Sequence, residues 1–332
     1  MADFTERELI ARVSAQLPPP PSWMLIGIGD DAAVIEPEKN RVEVLSVDAL
    51  VEGVHFDRTF TPPHAIGHRA LAANLSDLAA MGAAPRLCLL SLALPPALSI
   101  GDFDAMIEGI AVLARRHRVH VAGGNLTRSS GPLMIDITVT GTAKRRQLLT
   151  RNGARPGDEL YVTGTVGAAA AGLAMLKADG AASRSDMNSC AARFLYPEPR
   201  VRMGLLVARN RAATAGMDLS DGLADAVHQI ALASGVGAMV EAETVPVEPS
   251  AREWFNGQGD DPVRAAITGG DDYELLLAVR PRLSRRLTAA RRHGGAALTR
   301  IGVCTEDPSV LLKCGHGDEQ VMPLPGGFHH FR

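Results

Sequence analysis

The stretch Gly27-Ile28-Gly29-Asp30-Asp31-Ala32 limits the folds open to this chain more than any other. It closes the apolar run Trp23-Met24-Leu25-Ile26 with a glycine-built turn carrying two adjacent carboxylates. The spacing Gly27-x-Gly29-x-x-Ala32 fits a dinucleotide-binding fingerprint, and Asp48 lies near the distance expected of a ribose-binding acid. That fold, however, needs a helix directly after the turn. Pro37 interrupts the chain too soon for one, and two carboxylates would face the pyrophosphate. No G-x-x-x-x-G-K-[ST] loop and no protein-kinase signature set occurs either.

The paired carboxylates are one of five acidic loops. The others are Ser46-Val47-Asp48, Asn74-Leu75-Ser76-Asp77, Asp218-Leu219-Ser220-Asp221 and Gly269-Gly270-Asp271-Asp272. Magnesium is a hard ion that takes carboxylates, waters and phosphate oxygens. Several such ions holding a polyphosphate would need aspartates from separate elements, and this set meets that demand. Each loop also has a bland reading. Asp77 can be an ordinary helix residue, Asp218 or Ser220 can cap the helix that follows, and Asp271 with Asp272 can shape a turn. Five such loops in one chain weigh against a purely structural account of all of them.

A chain of 332 residues exceeds one ordinary core, so two domains are expected, divided within residues 142–157. Apolar residues make up 46% of it, enough to build both. A net charge of −3 and 4% aromatics argue against nucleic-acid binding, which wants a basic face or a stacking platform. The longest apolar run, Leu87 to Leu98, is broken by Pro95 and Pro96 and is too short to cross a bilayer. No two of the four cysteines form a C-x-x-C pair; they read as thiols of a reducing compartment, and a cytoplasmic protein is expected.

Apolar periodicity predicts helices near 5–17, 63–81, 102–118, 167–177, 200–213 and 221–234. It predicts strands near 23–28, 31–36, 42–48, 86–94, 119–122, 133–141, 160–163, 236–240 and 274–279. Gly123-Gly124-Asn125 reads as a turn, and 178–193 as a polar loop able to close over a site. The mixture implies an α/β or α+β protein with mixed sheets. Arg285, Arg286, Arg291 and Arg292 read as a solvated helix face, and His329-His330 as a solvated tail.

Seven stretches together resemble the thiamine-monophosphate kinase family: GIGDDAAVI (27–35), SVDALVEGVHF (46–56), ANLSDLAAMGA (73–83), GGNLTRS (123–129), TRNGARPGDELYVTG (150–164), MDLSDGL (217–223) and GGDDYEL (269–275). They span nearly the whole chain in the family's order. The resemblance implies a two-domain aminoimidazole ribonucleotide synthetase-like architecture. Residues 1–145 would form an ATP/Mg-binding and dimerisation domain, and 146–332 an α/β domain that completes the nucleotide and substrate site. It implies transfer of the γ-phosphoryl group of ATP to thiamine monophosphate, giving thiamine diphosphate, with Mg2+ as cofactor. It also implies a homodimer whose N-terminal strands pair into a barrel.

Carried over by residue, the implied metal positions are Asp31, Ser46, Asp48, Asp77, Asn125, Asp218 and Asp221. The implied nucleotide contacts are Gly124, Asn125, Arg151 and Ser220, and the implied substrate contacts are His55, Asp271 and Phe328. Three positions depart from the family pattern. Asn125 stands where that pattern has Asp, keeping a carbonyl ligand and losing a charge. Val47 replaces Thr, and Asp271 is one methylene shorter than the usual Glu. Two alternatives remain at this point: another ATP-using enzyme of the same superfamily, and a non-catalytic nucleotide-binding paralogue.

Overall fold

The computed structural model describes residues 4–179, 189–315 and 320–328. The loop expected over 178–193 and the His329-His330 tail lie largely or wholly outside the described residues. The chain divides into two compact units. The first holds the chain up to Leu78 together with Ala84–Arg145; the second holds Ala79–Ala83 and the chain from Arg146 onward.

The first unit runs α1 (Glu6–Gln16), β1 (Met24–Ile26), β2 (Val34–Ile35), β3 (Val42–Val51), α2 (Pro63–Ala80), β4 (Ala84–Leu94), α3 (Ile100–His117), β5 (His120–Arg128) and β6 (Met134–Ala143). Helix α1 starts on a capping box between Thr5 and Glu8, which satisfies two first-turn amides. Strands β3, β6, β4 and β5 form one mixed sheet in that order, antiparallel except for β4 against β5. Alternation sets its faces. Leu50, Leu90, Leu92, Ile135, Ile137 and Val139 point into the core. Helices α2 and α3 cross closely where two glycines meet the neighbouring backbone: a Cβ on Gly67 would lie 1.9 Å from Met106 O, and one on Gly109 would lie 2.0 Å from His64 O.

The outer face of this sheet mixes polar residues, among them Glu43, Ser91 and Asp136, with exposed apolar ones. Leu45 is 68% exposed and Val47 56% exposed on β3, and Leu89 on β4 and Met134 on β6 share that face. Beside the sheet, β1 and β2 form a small antiparallel pair. It packs through Met24 onto Leu87 and Ala122.

The turn expected at Gly123-Gly124-Asn125 is instead the middle of β5, paired residue by residue with Leu89, Leu90 and Ser91 after a register shift. The reason is close packing. A Cβ on Gly124 would lie 1.9 Å from Leu90 O, so these glycines let two strands approach rather than reverse the chain.

The second unit continues with β7 (Glu159–Thr163), α4 (Ala168–Asp179), α5 (Ser189–Leu195), α6 (Val201–Asn210), β8 (Ala215–Asp218), α7 (Leu223–Ser234), β9 (Gly237–Glu241), α8 (Pro249–Gln258), α9 (Pro262–Thr268), β10 (Leu275–Val279), α10 (Thr288–His293), β11 (Leu298–Thr305), β12 (Val310–Cys314) and β13 (Gln320–Pro323). Its strands form one sheet in the order β13-β12-β9-β11-β7-β10-β8. Strand β10 is buried along its whole length between β7 and β8, which explains its unbroken Leu-Leu-Leu-Ala-Val sequence. Among the described residues no helix is long and apolar enough to cross a membrane.

Candidate active site

The expected site residues fall into separate groups, two in the first unit and one in the second. At the β3 edge, Ser46 and Asp48 are two residues apart and both face α2. The Ser46 hydroxyl donates to Asp77 Oδ2 on α2, and the Asp48 amide donates to Asn74 Oδ1 at 3.2 Å. Asn74 is fully buried and anchors itself by donating to Ala70 O at 3.0 Å. Sequence reasoning quoted Asn74 within its motif but gave it no role. The strand's period of two and the helix's one-turn spacing therefore bring a hydroxyl and two carboxylates into one oxygen-rich patch. His55 follows β3 in a tight turn, where its Nδ1 accepts from the Val51 amide at 3.1 Å and its carbonyl accepts from Arg69 at 3.4 Å.

The second group sits at the β5 edge. Gly27 lies beside Ala122, 4.0 Å from an added Cβ to Ala122 O, which brings the start of the Gly27–Asp31 turn to β5. Within that turn the Asp31 amide donates to Asp30 Oδ1 at 2.8 Å. Asp30 thus holds the loop, while the Asp31 side chain projects from it. Asp48 and Gly124 share one cross-strand row through Ile137 and Leu90, on opposite edges of the sheet. Three strand spacings, about 14 Å, separate these edges. One chain does not bring Asn125 to Asp48.

The third group gathers at one end of β8 and β10. Asp218, 3% exposed, ends β8 opposite Leu275. The Asp271 amide donates to Ser220 O at 2.8 Å, Tyr273 N–H to Leu219 O at 3.1 Å, and Phe328 N–H to Asp221 O at 3.1 Å. Ser220, Asp221, Asp271 and Phe328 therefore adjoin, and the Phe328 ring is half exposed. Helix α7 begins at Gly222 with no side-chain cap, so neither Asp218 nor Ser220 serves as the cap that the bland reading allowed.

Arg151 lies elsewhere. Its carbonyl accepts from the Ser234 hydroxyl at the far end of α7, about 18 Å of helix from the start of that helix. The neighbouring Thr150 carbonyl accepts from the Gly216 amide at 3.0 Å, so Arg151 stands beside β8, at the opposite end of that strand from Ser220.

Sequence reasoning missed three residues around Asp271. The Tyr273 hydroxyl donates to Asp271 Oδ1 at 3.1 Å. Asp271 and Tyr273 both hold left-handed backbone, φ 67° and 50°, a strained conformation for non-glycine residues. Asp272, read earlier as a turn former, accepts from the Gly167 and Ala169 amides at 2.6 and 3.1 Å, at the start of α4. Glu274 is fully buried among two arginines. The only signal in the sequence was a third carboxylate, Glu274, placed after Tyr273 and directly before an apolar strand.

Burial pushes the Asp272 carboxyl up to about 7, against its two amide hydrogen bonds and nearby Arg193. A carboxyl with a raised folded-state pKa favours the folded protein while protonated. That stabilisation is complete below the unfolded value of 3.8 and is lost as pH rises towards 7. Thermal unfolding of Asp272→Asn between pH 5 and 8 should therefore show a smaller fall in Tm than the unsubstituted protein. Equal falls would remove Asp272 from the pH dependence.

Among the described residues no three His, Cys, Asp or Glu side chains form a group that could hold a metal ion. The β3-edge patch nonetheless offers hard oxygen donors, the chemistry a magnesium site needs.

Two mixed α/β units, each with a group of oxygen-bearing side chains, have the architecture of AIR synthase related proteins. Family models for the N-terminal and C-terminal domains of AIR synthase related proteins match residues 29–143 and 155–314. The thiamine-monophosphate kinase of Synechococcus elongatus is 38% identical over 308 residues, 91% of each chain. The crystal structure of thiamine-monophosphate kinase from Stenotrophomonas maltophilia is 37% identical with a TM-score of 0.81, over 94% of this chain and 96% of that one. The structure of AaThiL complexed with AMPPCP and TMP is 28% identical with a TM-score of 0.74, over 100% of this chain and 98% of that one. The chain belongs to the thiamine-monophosphate kinase family of enzymes.

Proposed function

We propose that this chain transfers the γ-phosphoryl group of ATP directly to the phosphate of thiamine monophosphate, with magnesium assistance and as a homodimer. The observation that carries the reading is the patch of Ser46, Asp48 and Asp77, hydrogen-bonded on one strand edge within the family's own motifs. The relative that holds an ATP analogue together with TMP supports the two substrates.

The acceptor is a phosphate monoester whose second pKa is about 6, so it is already a nucleophile at neutral pH. No general base is required, and none is assigned. The barrier is repulsion between two phosphate anions. Magnesium, when bound, supplies the positive charge that offsets this repulsion. Asp31, Ser46, Asp48, Asp77, Asn125, Asp218 and Asp221 would hold it. The side chains of Asp31, Asp48, Asp77, Asp218 and Asp221 act as oxygen ligands and move no protons. Gly124 and Ser220 border the nucleotide, and Arg151 clamps its phosphates. His55, Asp271 and Phe328 orient the thiamine group, with the exposed Phe328 ring as an apolar surface for its rings.

Two features support the homodimer: the exposed apolar side chains on the outer face of the first unit's sheet and the separation of Asn125 from Asp48. A second copy that brings its β5 edge beside β3 would supply what one chain lacks. The described cysteines are all free thiols, in keeping with a cytoplasmic setting.

Incubation with ATP, Mg2+ and thiamine monophosphate, followed by chromatography, should yield thiamine diphosphate and ADP in equal amounts. EDTA should abolish the product. ATP binding with no turnover of thiamine monophosphate would overturn the reading and favour the non-catalytic alternative, which the loss of a charge at Asn125 keeps open.

A further inference from the structure

Glu274 has no part in the acidic loops, yet its buried carboxylate accepts four hydrogen bonds. It is 0% exposed. Its Oε2 accepts from the Thr163 hydroxyl at 2.6 Å and from Arg200 Nε at 2.6 Å. Its Oε1 accepts from Arg193 Nη2 at 2.8 Å and from Arg200 Nη2 at 2.5 Å. A Cβ on Gly164 would lie 2.1 Å from Oε1, so the chain makes room for this carboxylate by having no side chain there. The backbone of Glu274 is tied as well: its carbonyl accepts from the Leu219 amide at 2.8 Å.

Four elements therefore meet at this one side chain: the end of β7 through Thr163, α5 through Arg193, the start of α6 through Arg200, and the start of β10. Immediately before it stand the left-handed Asp271 and Tyr273, joined by their own hydrogen bond. Two departures from preferred backbone within three residues persist only where the surroundings over-determine them. The 219–220 loop holds the backbone of Asp271, Tyr273 and Glu274, but it reaches only main-chain atoms and ties the turn to β8 alone, not to β7, α5 or α6. The Glu274 clamp makes those ties.

We infer that Glu274 is a positioning residue for the substrate: its clamped carboxylate fixes the Asp271–Tyr273 turn so that the Asp271 carboxylate meets the thiamine group. This rests on the proposed function, in which Asp271 contacts that group. Glu274 itself touches no substrate. The buried clamp also balances charge. Arg193 and Arg200 both pair with Glu274, so removing the Glu274 charge takes from both part-buried guanidiniums the carboxylate they share.

The test is steady-state kinetics on Glu274→Gln, which keeps the shape and two lone pairs but removes the charge. The expected result is a rise of about tenfold or more in KM for thiamine monophosphate, with KM for ATP within about twofold, as loss of a positioned contact to one substrate requires. Parallel rises in both constants, or an unchanged KM for thiamine monophosphate, would overturn the proposal. If Glu274→Gln does not fold, Arg193→Gln removes the more exposed arm of the clamp, whose side chain is 24% exposed. The same split is then expected at about threefold, with Arg193→Lys restoring part of it; an unchanged KM for thiamine monophosphate in Arg193→Gln overturns the proposal equally. Turnover by the unsubstituted enzyme is the control. Its absence would sink the proposed function, whereas normal turnover without the split would sink only the role of Glu274.

Discussion

Asp77→Asn should lower kcat by about 100-fold or more, equivalent to about 2.7 kcal/mol of lost transition-state stabilisation at 1.36 kcal/mol per decade. The substitution exchanges one carboxylate oxygen for an amide nitrogen and changes little else. Asp77 is half-buried on α2, and an amide at 77 can still accept the hydrogen bond that Ser46 now donates. Folding should therefore survive, and Tm should move by no more than a few degrees. The lost quantity is negative charge beside Asp48. A cation shared by two phosphates feels that loss most when the anions are closest, in the transition state, so kcat should fall more than affinity for ATP. Raising Mg2+ should recover part of the rate. Measurement of kcat across a magnesium titration, with Tm as the control for folding, checks the claim. A kcat near that of the unsubstituted enzyme would end the assignment of Asp77 as a metal-holding residue.

The residues that make this prediction possible were legible in the sequence as oxygen donors but not as the loops expected: Ser46 and Asp48 lie within β3 and Asp77 within α2. A carboxylate after a short apolar run is visible whatever the fold does later. The long helices α2, α3 and α7 were legible because their apolar stripes repeat on a period set by the helix itself. What could not be read was anything decided by a distant partner. Gly123 and Gly124 look like a turn until Leu90 is known to lie 1.9 Å from a Cβ on the second of them. Strands β8, β11, β12 and β13 escaped notice because they are short or carry mixed residues and become strands only by pairing. Glu274 escaped because its four bonding groups come from residues 163, 193 and 200, none of them near it in the chain. The separation of Asp48 from Asn125 escaped for a related reason: strand order within a sheet is a tertiary fact, and adjacency in a motif list says nothing about it.

Mixing two inactive variants should restore activity. Asp77→Asn removes a charge at the β3 edge, and Asp31→Asn removes one from the turn beside the β5 edge. If each chain completed its own site, every subunit in a mixture of the two would carry one defect, and no combination would work. If a site instead joins the β3 edge of one chain to the β5 edge of another, the two defects separate. In a mixed dimer one site gathers both substitutions and the other gathers neither. Random assortment makes half the dimers mixed, each with one intact site of two, so the expected recovery is about one quarter of the unsubstituted rate. The geometry favours this outcome. Asp48 and Gly124 lie in the same cross-strand row at opposite edges, so an edge-to-edge approach of two sheets would bring the matching positions level. The exposed Leu45 and Val47 give such an approach apolar area to bury. Co-refolding equal amounts of the two variants and assaying thiamine diphosphate checks it, with each variant refolded alone as the baseline. Recovery no greater than that baseline would show that each chain builds its site alone, and the β5-edge group would then need another role.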